Sequence, residues 1–151
     1  WECRTTMTQQ QPPERQLEAQ LELLVLSCLE TAKAMLKEYD LVVPFGMRVF
    51  KDSDDQKMNC PADENREADW LQQIEMVVTE LKQYLTTENI SATVLVTGLE
   101  SDDQKGIGLQ IETEQSSVMF VYPYTHKEET IEIEEPIQSD QLFSRVFEPG
   151  S

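Results

Sequence analysis

Residues 40–50 have the sequence DLVVPFGMRVF, an apolar run interrupted by Pro44, Phe45 and Gly46. The run predicts a strand, and a proline is tolerated at the start or edge of a strand, where no ladder donor is needed. Glycine lets the backbone bend or bulge beside the aromatic ring. The segment therefore predicts a bent edge strand with Phe45 turned into the core. The alternative is a pocket wall, because a glycine beside an aromatic residue also permits close approach of a ligand.

Two amphipathic helices are predicted around this strand. The first covers ERQLEAQLELLVLSCLETAKAMLKEYD, and its apolar residues share one broad stripe at helical spacing, namely Leu17, Leu21, Leu24, Val25, Cys28, Ala32, Met35, Leu36 and Tyr39. The second spans about Asp63 to Thr87, with acidic residues in its first turns, where the helix dipole stabilises negative charge. Its predicted buried stripe consists of Trp70, Leu71, Ile74, Val77, Val78, Leu81 and Leu85.

The order of the elements predicts an α+β fold. A short strand is expected after the acidic turn KDSDDQKMNC, and three strands are expected in ISATVLVTGLE, LQIETE and SSVMFVYPY. The order is helix-strand-strand-helix-strand-strand-strand, with an antiparallel sheet of about five strands packed by two helices, and TIEIEE alternates like one more short strand. We divide the chain into a flexible N-terminal arm (1–13), a single α+β domain (14–135) and an acidic, partly docked C-terminal tail (136–151).

Charge is the unusual property of this composition. The 151 residues include 12 basic and 29 acidic side chains, which gives a net charge of −17. Such a field repels phosphate backbones and anionic lipids, so nucleic acid and membrane are not expected as partners. The charge favours solubility or a basic protein partner.

The cysteines predict neither zinc nor disulfides. Cys3, Cys28 and Cys60 are odd in number and widely spaced, without a CxxC pair, and this usage indicates the reducing cytoplasm. The carboxylate-rich segment 52–63 resembles a calcium loop, but Lys57 stands where the sharp turn needs glycine and Asp63 replaces the bidentate glutamate. No metal and no cofactor are therefore expected.

Catalytic motifs are missing from the sequence. His126 is the single histidine, and no GxSxG motif surrounds Ser116 or Ser117. Gly106 and Gly108 form GIG without the rest of a nucleotide-binding motif. The sequence therefore predicts a protein that is not an enzyme.

Two groups of residues are candidates for function. The aromatic segments PFG and YPYTH would line a small-molecule pocket if their strands share a sheet, and its residues would be Phe45, Arg48, Tyr122, Tyr124 and His126. The alternative is that these aromatic side chains fill the interior, as strand aromatics often do. Leu23 and Leu26 project away from the apolar stripe of the first helix, which predicts a second buried surface and a homodimer.

Two short motifs of the sequence resemble those of a group of bacterial proteins. A PFG entry to the first strand (Pro44–Gly46) and a late strand ending in PY (Pro123–Tyr124) resemble an uncharacterised bacterial family, over roughly residues 41–124. The element order is similar to roadblock and profilin-like folds, which implies scaffolding, sensing or dimerisation. Together these features predict a non-catalytic cytoplasmic protein that acts through association with a protein partner, of inhibitor, immunity or scaffold type. The alternative function is a small-molecule sensor or an enzyme with its pocket beside PFG and YPYTH.

Overall fold

The computed structural model describes residues 13–53, 55–64, 66–101, 103–143 and 146–147, with side chains from residue 17 onward. The described residues confirm the α+β class. They form two helices, α1 (Pro13–Tyr39) and α2 (Trp70–Thr87), and seven strands, which are β1 (Phe45–Phe50), β2 (Gln56–Asn59), β3 (Ile90–Ser101), β4 (Gln104–Glu112), β5 (Ser117–Lys127), β6 (Thr130–Ile133) and β7 (Ile137–Ser139). The predicted N-terminal arm, Cys3 included, lies almost wholly outside the described residues.

All strand pairings in the sheet are antiparallel. The order is β2-β1-β3-β4-β5-β6, and β7 pairs with β5 beside β6. The sheet therefore has more strands than the five predicted. β6 is the extra strand that the alternation of TIEIEE indicated, whereas β7 lies in the segment predicted to be a tail.

The first core lies between α1 and one face of the sheet. Leu24, Cys28, Ala32 and Leu36 follow one another at intervals of four residues along α1, and all four are fully or almost fully buried. Side chains four apart share one face of a helix, so this stripe meets the sheet continuously. Its partners from the sheet include alternate residues of three central strands, Phe45, Met47, Val49, Ala92, Val94, Val96, Ile107, Leu109 and Ile111.

The second core lies on the opposite face, where α2 packs on β1 and β3. It contains Ile74, Val77, Val78, Leu81, Ile90, Leu95, Val146 and Phe147. The last two belong to the chain's C-terminal segment, which thus contributes buried side chains to a core far from it in sequence. Neither helix of the described chain has the length and apolarity needed to cross a membrane.

The prediction of an edge strand at PFG is wrong, although Phe45 is buried as expected. β1 lies between β2 and β3, and its register shifts between Val49 and Phe50 rather than at Gly46. Gly46 instead allows close packing, because a Cβ there would lie 2.5 Å from the Asn59 Oδ1 atom and 2.9 Å from the Val77 Cγ1 atom. The glycine therefore brings α2 close to the sheet.

The second helix begins later than predicted. Asp69 is its N-cap, and its side chain accepts a hydrogen bond from the Gln72 N–H while the Gln72 side chain accepts one from the Asp69 N–H. This reciprocal capping box satisfies helix donors that would otherwise lack partners. Residues 61–63 form a separate 3-10 turn. The acidic residues expected in the first turns of the helix thus precede it.

Candidate association surface

The structure does not bring the five predicted pocket residues together. Phe45 is completely buried, and Tyr122 and Tyr124 are half-buried against the same α1 core. His126 lies near the end of β5, with its Nδ1 atom 3.2 Å from the Asp40 Oδ1 atom. Arg48 lies three positions after Phe45 in the same strand, so its side chain is on the opposite face of the sheet.

Arg48 belongs to a partly buried ion pair under the end of α2, in which the Arg48 side chain is buried and a quarter of the Glu88 side chain is exposed. Its Nε atom lies 2.6 Å from the Glu88 Oε1 atom, and its guanidinium carbon lies 3.6 Å from the centre of the Tyr84 ring. The Nη1 atom is buried and has no hydrogen-bond partner among the residues that the structure describes. A guanidinium bound by a carboxylate and an aromatic face fastens α2 to β1.

Three large apolar side chains are exposed at the end of α1, in the connector that follows it and at the start of α2. Tyr39, Leu41 and Trp70 are 51%, 53% and 41% exposed, respectively, and we call them the junction surface. Leu41 belongs to the connector 40–44 between α1 and β1, and Asp40 turns the chain out of the helix with a positive φ of 61°. The Asp40 N–H donates to the Leu36 carbonyl, which closes the last turn of α1.

Two clefts lie on either side of Leu41. One has a volume of about 330 Å³ and its walls include Pro44, Trp70 and Tyr124. The other has a volume of about 300 Å³ and its walls include Tyr39. Leu41 and Gln73 line both clefts, so the three residues of the junction surface form one continuous region.

The larger cleft is bordered by charge. Glu100, Lys105 and Tyr124 are successive cross-strand partners in β3, β4 and β5, so their side chains share one face of the sheet. Burial raises the pKa of the Tyr124 phenol, and the negative charges of Asp40 and then Glu100 raise it further. Both carboxylates line the cleft and lie close enough to Tyr124 to disfavour its ionisation.

Trp70 is held in place from two sides. Its Nε1–H donates to the Thr97 Oγ1 atom at 2.8 Å. Its ring meets Phe143 edge to face, with 5.8 Å between the ring centres and an angle of 75°. Such an aromatic pair adds about 0.5–1.5 kcal/mol beyond the area it buries. The indole is thus a fixed wall although two-fifths of it is exposed.

The two cysteines that the structure describes, Cys28 and Cys60, do not provide an activated nucleophile. Burial raises the pKa of the Cys28 thiol far above its usual range. The pKa of Cys60 is raised by burial and by the charge of Asp63. Because the thiolate is the reactive form, both groups are weak nucleophiles at neutral pH. Among the described residues, no three His, Cys, Asp or Glu side chains are grouped as metal ligands.

Comparison with known proteins adds nothing to this geometry, because no family model, curated protein or solved structure matches the chain. The junction surface was not identified from the sequence. The sequence predicts that Tyr39 and Trp70 are buried in helical stripes and that Leu41 lies in a strand. The one available signal was position, since Tyr39 ends a helix and Trp70 begins one, where a stripe can run past the edge of the sheet.

Proposed function

We propose that this protein acts by binding another protein through the junction surface. The observation that carries the proposal is the exposure of Tyr39, Leu41 and Trp70 around two adjoining clefts. Aromatic side chains are enriched at the centres of protein interfaces, because they bury a large area at a low entropic cost. The fixed Trp70 ring is suited to such a role, since little further ordering is needed when a partner binds.

The partner is proposed to be basic. The chain carries a net charge of −17, and Asp40, Glu100 and Asp63 border the two clefts. Lys105 and Arg66 also line the clefts, so the local field is mixed while the long-range field is negative. A negative field speeds the approach of a cationic protein and loses strength as salt is added. Inhibitor, immunity and scaffold proteins all fit this description, and the free cysteines Cys28 and Cys60 support the cytoplasm as the compartment.

Replacing Leu41 with serine is expected to weaken partner binding about 10- to 100-fold, which is the factor that corresponds to burying one leucine. The measurement is quantitative retention of native-host proteins on the immobilised chain, at low and at high salt. Ile137→Ser is the matched control, because Ile137 is an exposed aliphatic residue on β7. Equal loss of the same protein with both variants, or no retained protein at either salt concentration, would contradict the proposal.

We further propose that α1 forms a homodimer through its outer side. Leu23 and Leu26 are both more than half exposed. A two-fold pairing of the helices would bury these leucines in both copies of the chain. Full burial of an exposed leucine is worth about 1.5–3 kcal/mol, and roughly half of each of these side chains is exposed and can still be buried. Repulsion between two chains of −17 opposes association, and it is screened over about 8 Å at physiological salt.

The dimer should therefore weaken as salt is lowered, and Leu23→Glu with Leu26→Glu should abolish it. Sedimentation of the wild type and the double variant at several salt concentrations measures both effects. The idea fails if the wild type is a monomer at every concentration, or if a dimer is indifferent to the two substitutions.

A small-molecule site is the second candidate function. The cleft of about 330 Å³ beside Pro44 and Tyr124 favours it, since that volume is at the lower end for ligand pockets. Of the predicted pocket residues, Tyr124 lines this cleft directly and His126 is connected to it through Asp40. A thermal-shift screen of metabolites distinguishes the candidates, because a ligand that binds the native state raises the melting temperature.

A further inference from the structure

Three described residues of the C-terminal segment, Phe143, Val146 and Phe147, are held to the α2 side of the sheet through their main chain. Gln110 in β4 is fully buried, and its amide group binds both main-chain groups of Phe143. The Gln110 Nε2 atom donates to the Phe143 carbonyl at 3.2 Å, and the Gln110 Oε1 atom accepts from the Phe143 N–H at 3.1 Å. The Gln110 side chain thus makes the two hydrogen bonds to the Phe143 main chain that a neighbouring strand would otherwise make.

A buried carboxylate holds the same segment a few residues further on. Glu112 is 1% exposed, and its oxygens accept hydrogen bonds from the Val146 N–H at 3.0 and 2.9 Å and from the Phe147 N–H at 3.4 Å. Burying a carboxylate is costly unless hydrogen bonds compensate it. The buried Glu112 carboxylate therefore receives these hydrogen bonds only while the segment is docked.

The held segment reaches the junction surface through one contact. Gln110 fixes the backbone of Phe143, and the Phe143 ring packs edge to face against the Trp70 ring. Trp70 is both a wall of the larger cleft and a member of the junction surface. A continuous path of contacts thus connects the buried Gln110 to a cleft that a partner would occupy.

We infer that the docked C-terminal segment, through Phe143, holds Trp70 in place in the junction surface, so that docking of the segment and the binding of a basic protein partner over Trp70 favour each other. The role of the partner rests on the function proposed above. Coupling of this kind is reciprocal, because any contact that fixes Trp70 when the segment docks also stabilises the segment when Trp70 is fixed. The segment is the smaller element and should open locally, without unfolding the α1 core.

Hydrogen exchange tests the coupling without any partner. In the full chain, Trp70→Ala is expected to speed exchange of the Val146 and Phe147 amides about 2- to 12-fold, the factor equivalent to one aromatic pair. The Val94 amide in β3 should not change, because that strand is central. Leu71→Ala is the matched control, since Leu71 is the next residue of α2 and is exposed.

A second substitution separates the ring contact from general damage to α2. Phe143→Leu keeps an apolar side chain and the main-chain bonds to Gln110, and it should produce a similar acceleration at Val146 and Phe147. Exchange unchanged by both substitutions, or raised equally at Val94, would overturn the inference. This hydrogen-exchange experiment contains no partner, so a negative result would not contradict the proposed association. The Leu41→Ser variant tests that association separately.

Discussion

Phe45→Ala is expected to lower the free energy of unfolding by about 3–5 kcal/mol, the range found for removing a buried phenylalanine ring. Phe45 is completely buried in the α1 core, directly opposite Val96 in the neighbouring strand. Removing the ring loses apolar burial and leaves a cavity that the two layers close only in part. Chemical denaturation measures the loss of unfolding free energy, when the same dependence of that free energy on denaturant concentration is used for the wild type and the variant.

Two further substitutions show whether Phe45 is a core residue. Phe45→Leu keeps most of the volume and should lose clearly less stability than the alanine variant. Tyr39→Ala removes a half-exposed aromatic side chain of the junction surface, and it should change stability by about 0.5 kcal/mol or less, as most surface substitutions do. If Phe45→Ala is no more destabilising than Tyr39→Ala, Phe45 does not belong to the core and the pocket-wall alternative regains support.

Glu88→Ala is expected to destabilise the protein by about 3 kcal/mol. The substitution leaves the Arg48 guanidinium buried without its carboxylate, and breaking a fully buried pair in this way is worth about 3–5 kcal/mol. The lower end of that range applies, because a quarter of the Glu88 side chain is exposed. Stability measured by chemical denaturation gives the value.

The opposite substitution distinguishes a buried charge from a simple loss of contact. Arg48→Met removes the buried charge, fills the space with an apolar chain, and leaves Glu88 able to reach water. It should therefore destabilise the protein less than Glu88→Ala does. Equal effects of the two substitutions would show that the pair contributes through packing alone, and not through the pairing of a buried charge.

The helices and long strands could be predicted because their apolar residues recur with the period of a helix or of a strand. The spacing of Leu24, Cys28, Ala32 and Leu36 fixes which side of α1 meets the sheet, and the structure shows that side to be buried. The position of β1 within the sheet could not be predicted, because its neighbour β2 is the short polar segment QKMN. That strand forms through backbone pairing with β1 and has little apolar pattern of its own.

The sequence predicts a start of α2 that is several residues too early, and the reason is different. Acidic residues favour the first turn of a helix, and this preference extended the predicted helix back to Asp63. The capping box between Asp69 and Gln72 instead fixes the start at Trp70. Trp70 and Leu71 thus lie in the first turn, and both are exposed rather than buried.

The candidate site illustrates what strand alternation can and cannot predict. Phe45 and Arg48 are an odd number of residues apart, so alternation alone places them on opposite faces of a sheet. Tyr122 and Tyr124 are two apart and do share a face, as expected. The junction surface has no such local pattern. It is assembled from a helix end, a connector and a helix start, and only the packing of both helices on one sheet brings these together.

Photo-crosslinking from the junction surface, in cells of the native host, tests directly whether this protein acts through that surface. A benzophenone amino acid at position 41 is compared with the same group at position 137, which is also exposed but lies on β7. Position 41 is expected to capture one basic protein in high yield, position 137 is not, and Trp70→Ala should reduce the yield at position 41. Equal capture of the same protein from both positions, or no protein captured from position 41, would contradict the claim that this protein acts through the junction surface.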